Sequence, residues 1–277
     1  MKKLFALLLS LTMLVALAAC GGDKAPSNQG GATTGGLTPD AITQRGVLRV
    51  GVKTDVPGFG LLDTATNTYS GIEIDLAHKI AEELGIDKVE FTPVTAATRG
   101  QLLDSGDIDI VAATFTINEE RKASWNFTTP YYTDAVSLLV KNDSGIETFE
   151  DLAEIKIGVA TGATSKAALI AAAAEANVTL DEDKNFEEYA SYPEIKAALD
   201  AGRVQAFSVD GSILAGYVDN TNHIVESIRF SPQEYGLASK KDATEWSAYL
   251  ENLVTGWLAD GTMAQLIEDN GVVASVT

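Results

Sequence analysis

The chain has 277 residues, 45% hydrophobic and 21% charged, a globular composition with room for two compact domains. Its formal charge of −19 argues against nucleic acid as a partner, because so acidic a surface repels a phosphate backbone. A single cysteine excludes a disulfide within the chain.

The first residues read as an export signal. Lys2 and Lys3 form a positive start, Leu4 to Ala18 is an apolar stretch too short for a comfortable membrane span, and Leu17-Ala18-Ala19-Cys20 is a small-residue processing site. Those four residues resemble the lipobox at which bacterial lipoproteins are cut and lipidated on the new N-terminal cysteine; the alternative is an ordinary cysteine at the end of an apolar helix. Residues 1–19 are therefore expected as a lipoprotein signal peptide, and residues 20–40, rich in Gly, Ser, Thr and Pro, as a flexible tether from lipidated Cys20. Loss of Lys2 and Lys3 takes the formal charge from −19 to −21, so a cation cluster in a cleft would have to recruit an anion against the overall field.

Beyond the tether, Val47 to Val52 is a run of β-branched and apolar residues, and Lys53-Thr54-Asp55-Val56-Pro57-Gly58 ends it with turn chemistry. Lys53 thus stands at the carboxyl end of a strand, where a solvated loop lysine is the simpler reading of spacing alone. A helix follows, opened around Gly71, with Leu76, Ile80 and Leu84 four residues apart and Gly85 as its stop. His78 lies on it among charged neighbours and has no second ligand at metal spacing. After a strand at 89–94, Arg99 opens a short helix through Leu102 and Leu103; a cation at a helix start either caps nothing or has an anion beside it. Ile108 to Ala113 is apolar enough for a buried parallel strand, and Thr114, Thr116 and Arg121 follow its end, where ligands of open α/β sheets bind. In the aromatic run from Trp125 to Tyr132, Tyr131 and Tyr132 are the candidates for a cleft wall, with Trp125 and Phe127 packed inside.

At Lys141 to Gly145 a second alternating series begins. Ile157 to Ala160 is a strand, and Thr164 and Ser165 precede an alanine-rich helix over 167–176, either as N-caps or as donors to an anion. Tyr192 and Pro193 start a helix that Gly202 stops, and Val204 to Val209 is a strand ending at Asp210, a turn aspartate before glycine if seen alone. His223 falls in a short turn. The chain then returns to its first unit near Ser231, and an amphipathic helix over 243–258 carries Trp246, Leu250, Leu253, Val254 and Trp257.

From about Gly46 to Ala274 the chain resembles the bacterial extracellular solute-binding proteins of family 3, the polar amino-acid receptors of ABC importers, and among them the aspartate/glutamate-binding branch. The resemblance rests on GVLRVGVKTDVPGF, TRGQLLDSGDIDIVAATFTINEERK, NFTTPYYTDAVSLLV, IGVATGATSK and YPEIKAALDAGRVQAFSVD. It implies a two-lobed α/β fold of the periplasmic-binding-protein type II, with a ligand cleft and two crossover hinge strands. Residues 41–138 and 233–277 would form lobe one and residues 139–232 lobe two. It implies that Arg121 holds a ligand α-carboxylate with Thr116 and Thr164 adding donors, that Asp210 binds the α-ammonium, that Lys53 and Arg99 take a side-chain carboxylate, and that Tyr192 closes over the ligand; Thr114 is placed in the same site. Three cations against Asp210 leave a positive surplus that suits an acidic amino acid. The resemblance further implies a binding protein that serves an ABC-transporter permease, and the export signal independently implies a lipid anchor outside the cytoplasm; a monomer with no cofactor, no metal and no catalysis is expected. The alternatives are a glutamine or asparagine receptor, a dehydratase-like enzyme on the same fold, and a sensing or adhesive lipoprotein.

Overall fold

A computed structural model describes residues 36–272; the expected signal peptide, Cys20 and most of the expected tether lie outside them. Pro39 and Asp40, read from sequence as the end of the tether, instead open a helix, Pro39–Arg45, whose start is capped by the Thr38 hydroxyl accepting from the Ala41 amide. Ile42 alone anchors it in the core, too little apolar content to give a periodic signal.

Two mixed sheets carry the lobes, and a third, small antiparallel sheet joins Asp55–Val56, Gly60–Asp63 and Thr68–Ser70. In the first, Leu48–Val52 runs parallel to Val89–Pro93 on one side and Ile110–Ala112 on the other, and Ala238–Lys240 and Trp125–Phe127 continue the sheet antiparallel. In the second, Ile157–Ala160 lies parallel between Phe186–Tyr189 and Ala206–Asp210, while the ten-residue strand Tyr132–Lys141 pairs antiparallel with Ala206–Asp210, Asn222–Ile224 and Phe230–Tyr235. His223, expected in a turn, is thus in a strand.

The helix Ile72–Glu83 packs Leu76, Ile80 and their apolar neighbours into the first lobe, burial that contributes about 1.5–3 kcal/mol for each large side chain. Its start requires Gly71, whose φ is +122° and where a Cβ would lie 2.2 Å from the Phe59 carbonyl oxygen. The helix Thr244–Asp260 closes the lobe from the chain's other end, with Trp246 fully buried and donating from Nε1 to the Asp109 carbonyl at 3.1 Å.

The chain passes between sheets twice. Thr128 donates to the Leu237 carbonyl and Tyr131 to the Tyr235 carbonyl, so the two passages run side by side as paired backbone. By strand pairing they fall before Tyr132 and after Tyr235, a few residues from the expected lobe boundaries at 138/139 and 232/233.

Candidate functional site

Every expected site residue stands at the end of a strand or the start of a helix. Lys53 follows Leu48–Val52, Thr114 and Thr116 follow Ile110–Ala112, and Arg99 is the first residue of the helix Arg99–Ser105. Arg121 sits in a short helix, Glu119–Ser124, which the sequence pattern does not reveal; the Asn118 side chain starts it by accepting from the Arg121 amide at 2.8 Å. From the second sheet, Thr164 precedes the helix Ser165–Glu175, Tyr192 opens Tyr192–Asp200, and Asp210 ends Ala206–Asp210.

All eight residues are buried or nearly so, and their contacts bring them together. The Arg99 guanidinium, 3% exposed, donates to the Ala113 and Thr114 carbonyls at 2.6 and 3.1 Å and lies 4.0 Å from the centre of the Phe115 ring. Arg121 lies 4.7 Å from the same ring, donating to the Thr116 carbonyl at 2.7 Å and across the lobes to the Gly162 carbonyl at 3.2 Å. The Thr164 hydroxyl donates to Gln233 at 2.7 Å and so caps no helix amide. Asp210 accepts a hydrogen bond from the Tyr235 hydroxyl.

Lys53 is no solvated loop lysine: it is 2% exposed, its ammonium lies 3.1 Å from Asp55, and it stacks 4.4 Å above the Tyr192 ring. Asp55 also accepts from the Tyr192 amide at 3.3 Å, tying the two lobes at this point. The positive surplus expected from Lys53, Arg99 and Arg121 against Asp210 therefore needs amending, because Asp55 neutralises Lys53 directly. A second carboxylate, Glu73, is fully buried behind the site, where it accepts from the Thr114 amide and the Tyr131 hydroxyl.

Burial governs the protonation of the cluster. It pushes the Asp210 carboxyl up to about 7, with Tyr235, Arg99 and Arg121 pulling the other way. It lowers Arg121 to about 9, and the like charge of Arg99 lowers it further. Lys53 is pushed down by burial against the attraction of Asp55, Arg99 is pushed down by burial, and Tyr192 is pushed up by burial and by the charge of Asp210.

A cavity of about 720 Å³ is lined by Phe115, Thr116, Arg121 and Trp125 from one lobe and Gly162 and Thr164 from the other, whereas Lys53, Arg99, Thr114, Tyr192 and Asp210 do not line it. Trp125, expected inside, stands in this wall, while Tyr131 and Tyr132, expected in the wall, are buried in the core. The reason is position: Trp125–Phe127 is an edge strand with an uncovered side, whereas Tyr131 turns inward to reach Glu73. Phe115, Asp55, Glu73 and Tyr235 were not singled out from sequence. Only Phe115 carried a local signal, as an aromatic between the two threonines at a strand end.

Two α/β lobes joined by paired backbone passages and touching across a buried, charged cleft define a two-lobed solute-binding protein. The chain belongs to the bacterial extracellular solute-binding proteins, family 3, whose profile matches residues 48–271. It is 37% identical over 246 residues to the glutamine-binding protein GlnH of a Bacillus subtilis ABC transporter, covering 87% of each chain. It is 30% identical over 254 residues to the glutamate-binding protein GluB of Corynebacterium glutamicum, covering 87% of this chain and 83% of that one. Its fold is similar to the crystal structure of an ancestral amino acid-binding protein, a precursor of cyclohexadienyl dehydratase, with a TM-score of 0.72 and 33% identity over 83% of this chain and 98% of that one. No helix among the described residues is long and apolar enough to cross a membrane.

Proposed function

We propose that this chain captures an acidic L-amino acid, aspartate or glutamate, by closure of its lobes and delivers it to an ABC importer. The observation that carries the reading is the pair Arg99 and Arg121: both are buried, both bond only to backbone carbonyls, and neither forms an ion pair with a carboxylate among the described residues. Two such guanidiniums beside one aromatic ring suit a ligand with two carboxylates. In this reading Arg121, Thr116 and Thr164 take the α-carboxylate, Asp210 the α-ammonium, and Arg99 the side-chain carboxylate with Lys53 behind it, while Tyr192 covers the ligand and Thr114 shapes the floor. The ligand leaves chemically unchanged. A lipid on Cys20 and the tether that follows would keep the monomer beside its permease, outside the cytoplasm.

A second reading, a glutamine receptor, is favoured by the Asp55 carboxylate on Lys53 and by the glutamine-binding relative. The two separate on magnitude. Charge-assisted hydrogen bonds contribute about 1.5–3 kcal/mol each, so a ligand whose amide cannot pair with Arg99 should bind about ten- to a hundredfold more weakly.

Calorimetric titration with aspartate, glutamate, glutamine and asparagine at one pH tests the reading. Tighter binding of the acids by at least tenfold is expected, and an Arg121→Ala variant with an unchanged melting temperature should lose about a hundredfold or more. Glutamine binding as tight as glutamate would overturn the acidic assignment, and wild-type affinity in Arg121→Ala would overturn the site.

A further inference from the structure

Glu73 occupies the first turn of the helix Ile72–Glu83 and is entirely shielded from solvent. One carboxylate oxygen accepts from both the Thr114 amide and the Tyr131 hydroxyl, and the other has no hydrogen-bond partner. Thr114 is a β-branched residue at φ +44°, a conformation that needs outside support, and its carbonyl is one of the two that orient Arg99. Glutamine in place of Glu73 could accept the same two hydrogen bonds through its amide oxygen, so hydrogen bonding alone does not call for a charge here. Burial pushes the Glu73 carboxyl up, while the hydrogen bonds from Tyr131 and Thr114 and the charges of Arg99 and Lys53 hold it toward the ionised form; ionised, it adds negative potential behind those two cations, which a glutamine cannot.

We propose that Glu73 is a specificity-determining positioning residue: its hydrogen bond holds the Thr114 turn that aims Arg99, and its charge limits how strongly the cleft favours an anionic side chain over an amide. The proposal rests on the reading of the cleft as an amino-acid site. It predicts a change in the ratio of affinities, whichever ligand the native protein prefers.

The test is calorimetry of glutamate and glutamine binding to the native protein and to Glu73→Gln, with melting temperature as a check of folding. In Glu73→Gln the preference for glutamate relative to glutamine should rise about tenfold over the native ratio. A purely structural role would weaken both ligands by the same factor, and that result, or a shift toward glutamine, overturns the proposal. Should Glu73→Gln fail to fold, Glu73→Asp keeps the charge and withdraws it from Thr114 and Tyr131; with Arg99 no longer aimed, the preference for glutamate over glutamine should then fall. An unchanged ratio in that variant would overturn the proposal. Failure of the underlying reading is visible separately, in the native protein binding neither amino acid, which overturns both.

Discussion

The Asp210 carboxyl, raised to about 7 by burial, is half protonated at neutral pH until a cation arrives beside it. An α-ammonium would drive it to the ionised form, so capture below pH 7 should expel a proton. Calorimetry at pH 6 in two buffers of different ionisation enthalpy should register close to one proton released, with affinity falling toward tenfold per pH unit below 7; a pH-independent affinity would show that Asp210 does not meet the ammonium. The sign for stability is opposite in sense: the folded carboxyl holds its proton more tightly than the unfolded one near 3.9, so the ligand-free protein should lose stability as pH rises from about 4 through 7. That slope should flatten in Asp210→Asn when melting temperature is followed against pH. Arg121 and Asp210 were legible in the sequence because each follows a recognisable strand. Asp55 and Glu73 were not, since an aspartate in a turn and a glutamate in the first turn of a helix are common on any surface, and only the folded chain brings them under the cations.

Among elements, the helix Thr244–Asp260 shows how far periodicity carries. Its apolar stripe was readable, and the residues it buries are Trp246, Leu250, Val254 and Trp257. Trp246 packs against Tyr249 at 5.7 Å between ring centres and bonds to the Asp109 carbonyl. Trp246→Ala should cost about 3–5 kcal/mol in urea unfolding, while the neighbouring exposed Glu245→Ala should stay within about 0.5 kcal/mol. Short elements escaped the same reading. Pro39–Arg45 and Glu119–Ser124 have seven and six residues, each buries a single side chain, and each depends on a cap, from Thr38 and Asn118, that is visible only once the helix is there.

At the scale of the molecule, two lobes could be read from two successive strand and helix series, but the crossing points could not, because no sequence feature before the long strand Tyr132–Lys141 marks the passage from the first sheet to the second. Contact between lobes is set by close backbone approach: a Cβ at Gly162 would lie 2.8 Å from Ala97 Cα, and Gly162 has φ +78°. Gly162→Ala should therefore hold the lobes apart, leaving the ligand-saturated radius of gyration in solution scattering larger than that of the native complex and lowering affinity about tenfold, at a stability cost of about 1 kcal/mol. A native radius with native affinity would mean that the lobes accommodate the methyl group. The half-buried indole of Trp125 shares a cavity wall with Gly162 and Thr164, whereas the chain's other two tryptophans, Trp246 and Trp257, are sealed in the first lobe. The molecule thus carries its own optical gauge: near-ultraviolet excitation should yield one emission component that quenchers reach, more readily as the cleft opens, over a constant background from the two sealed indoles.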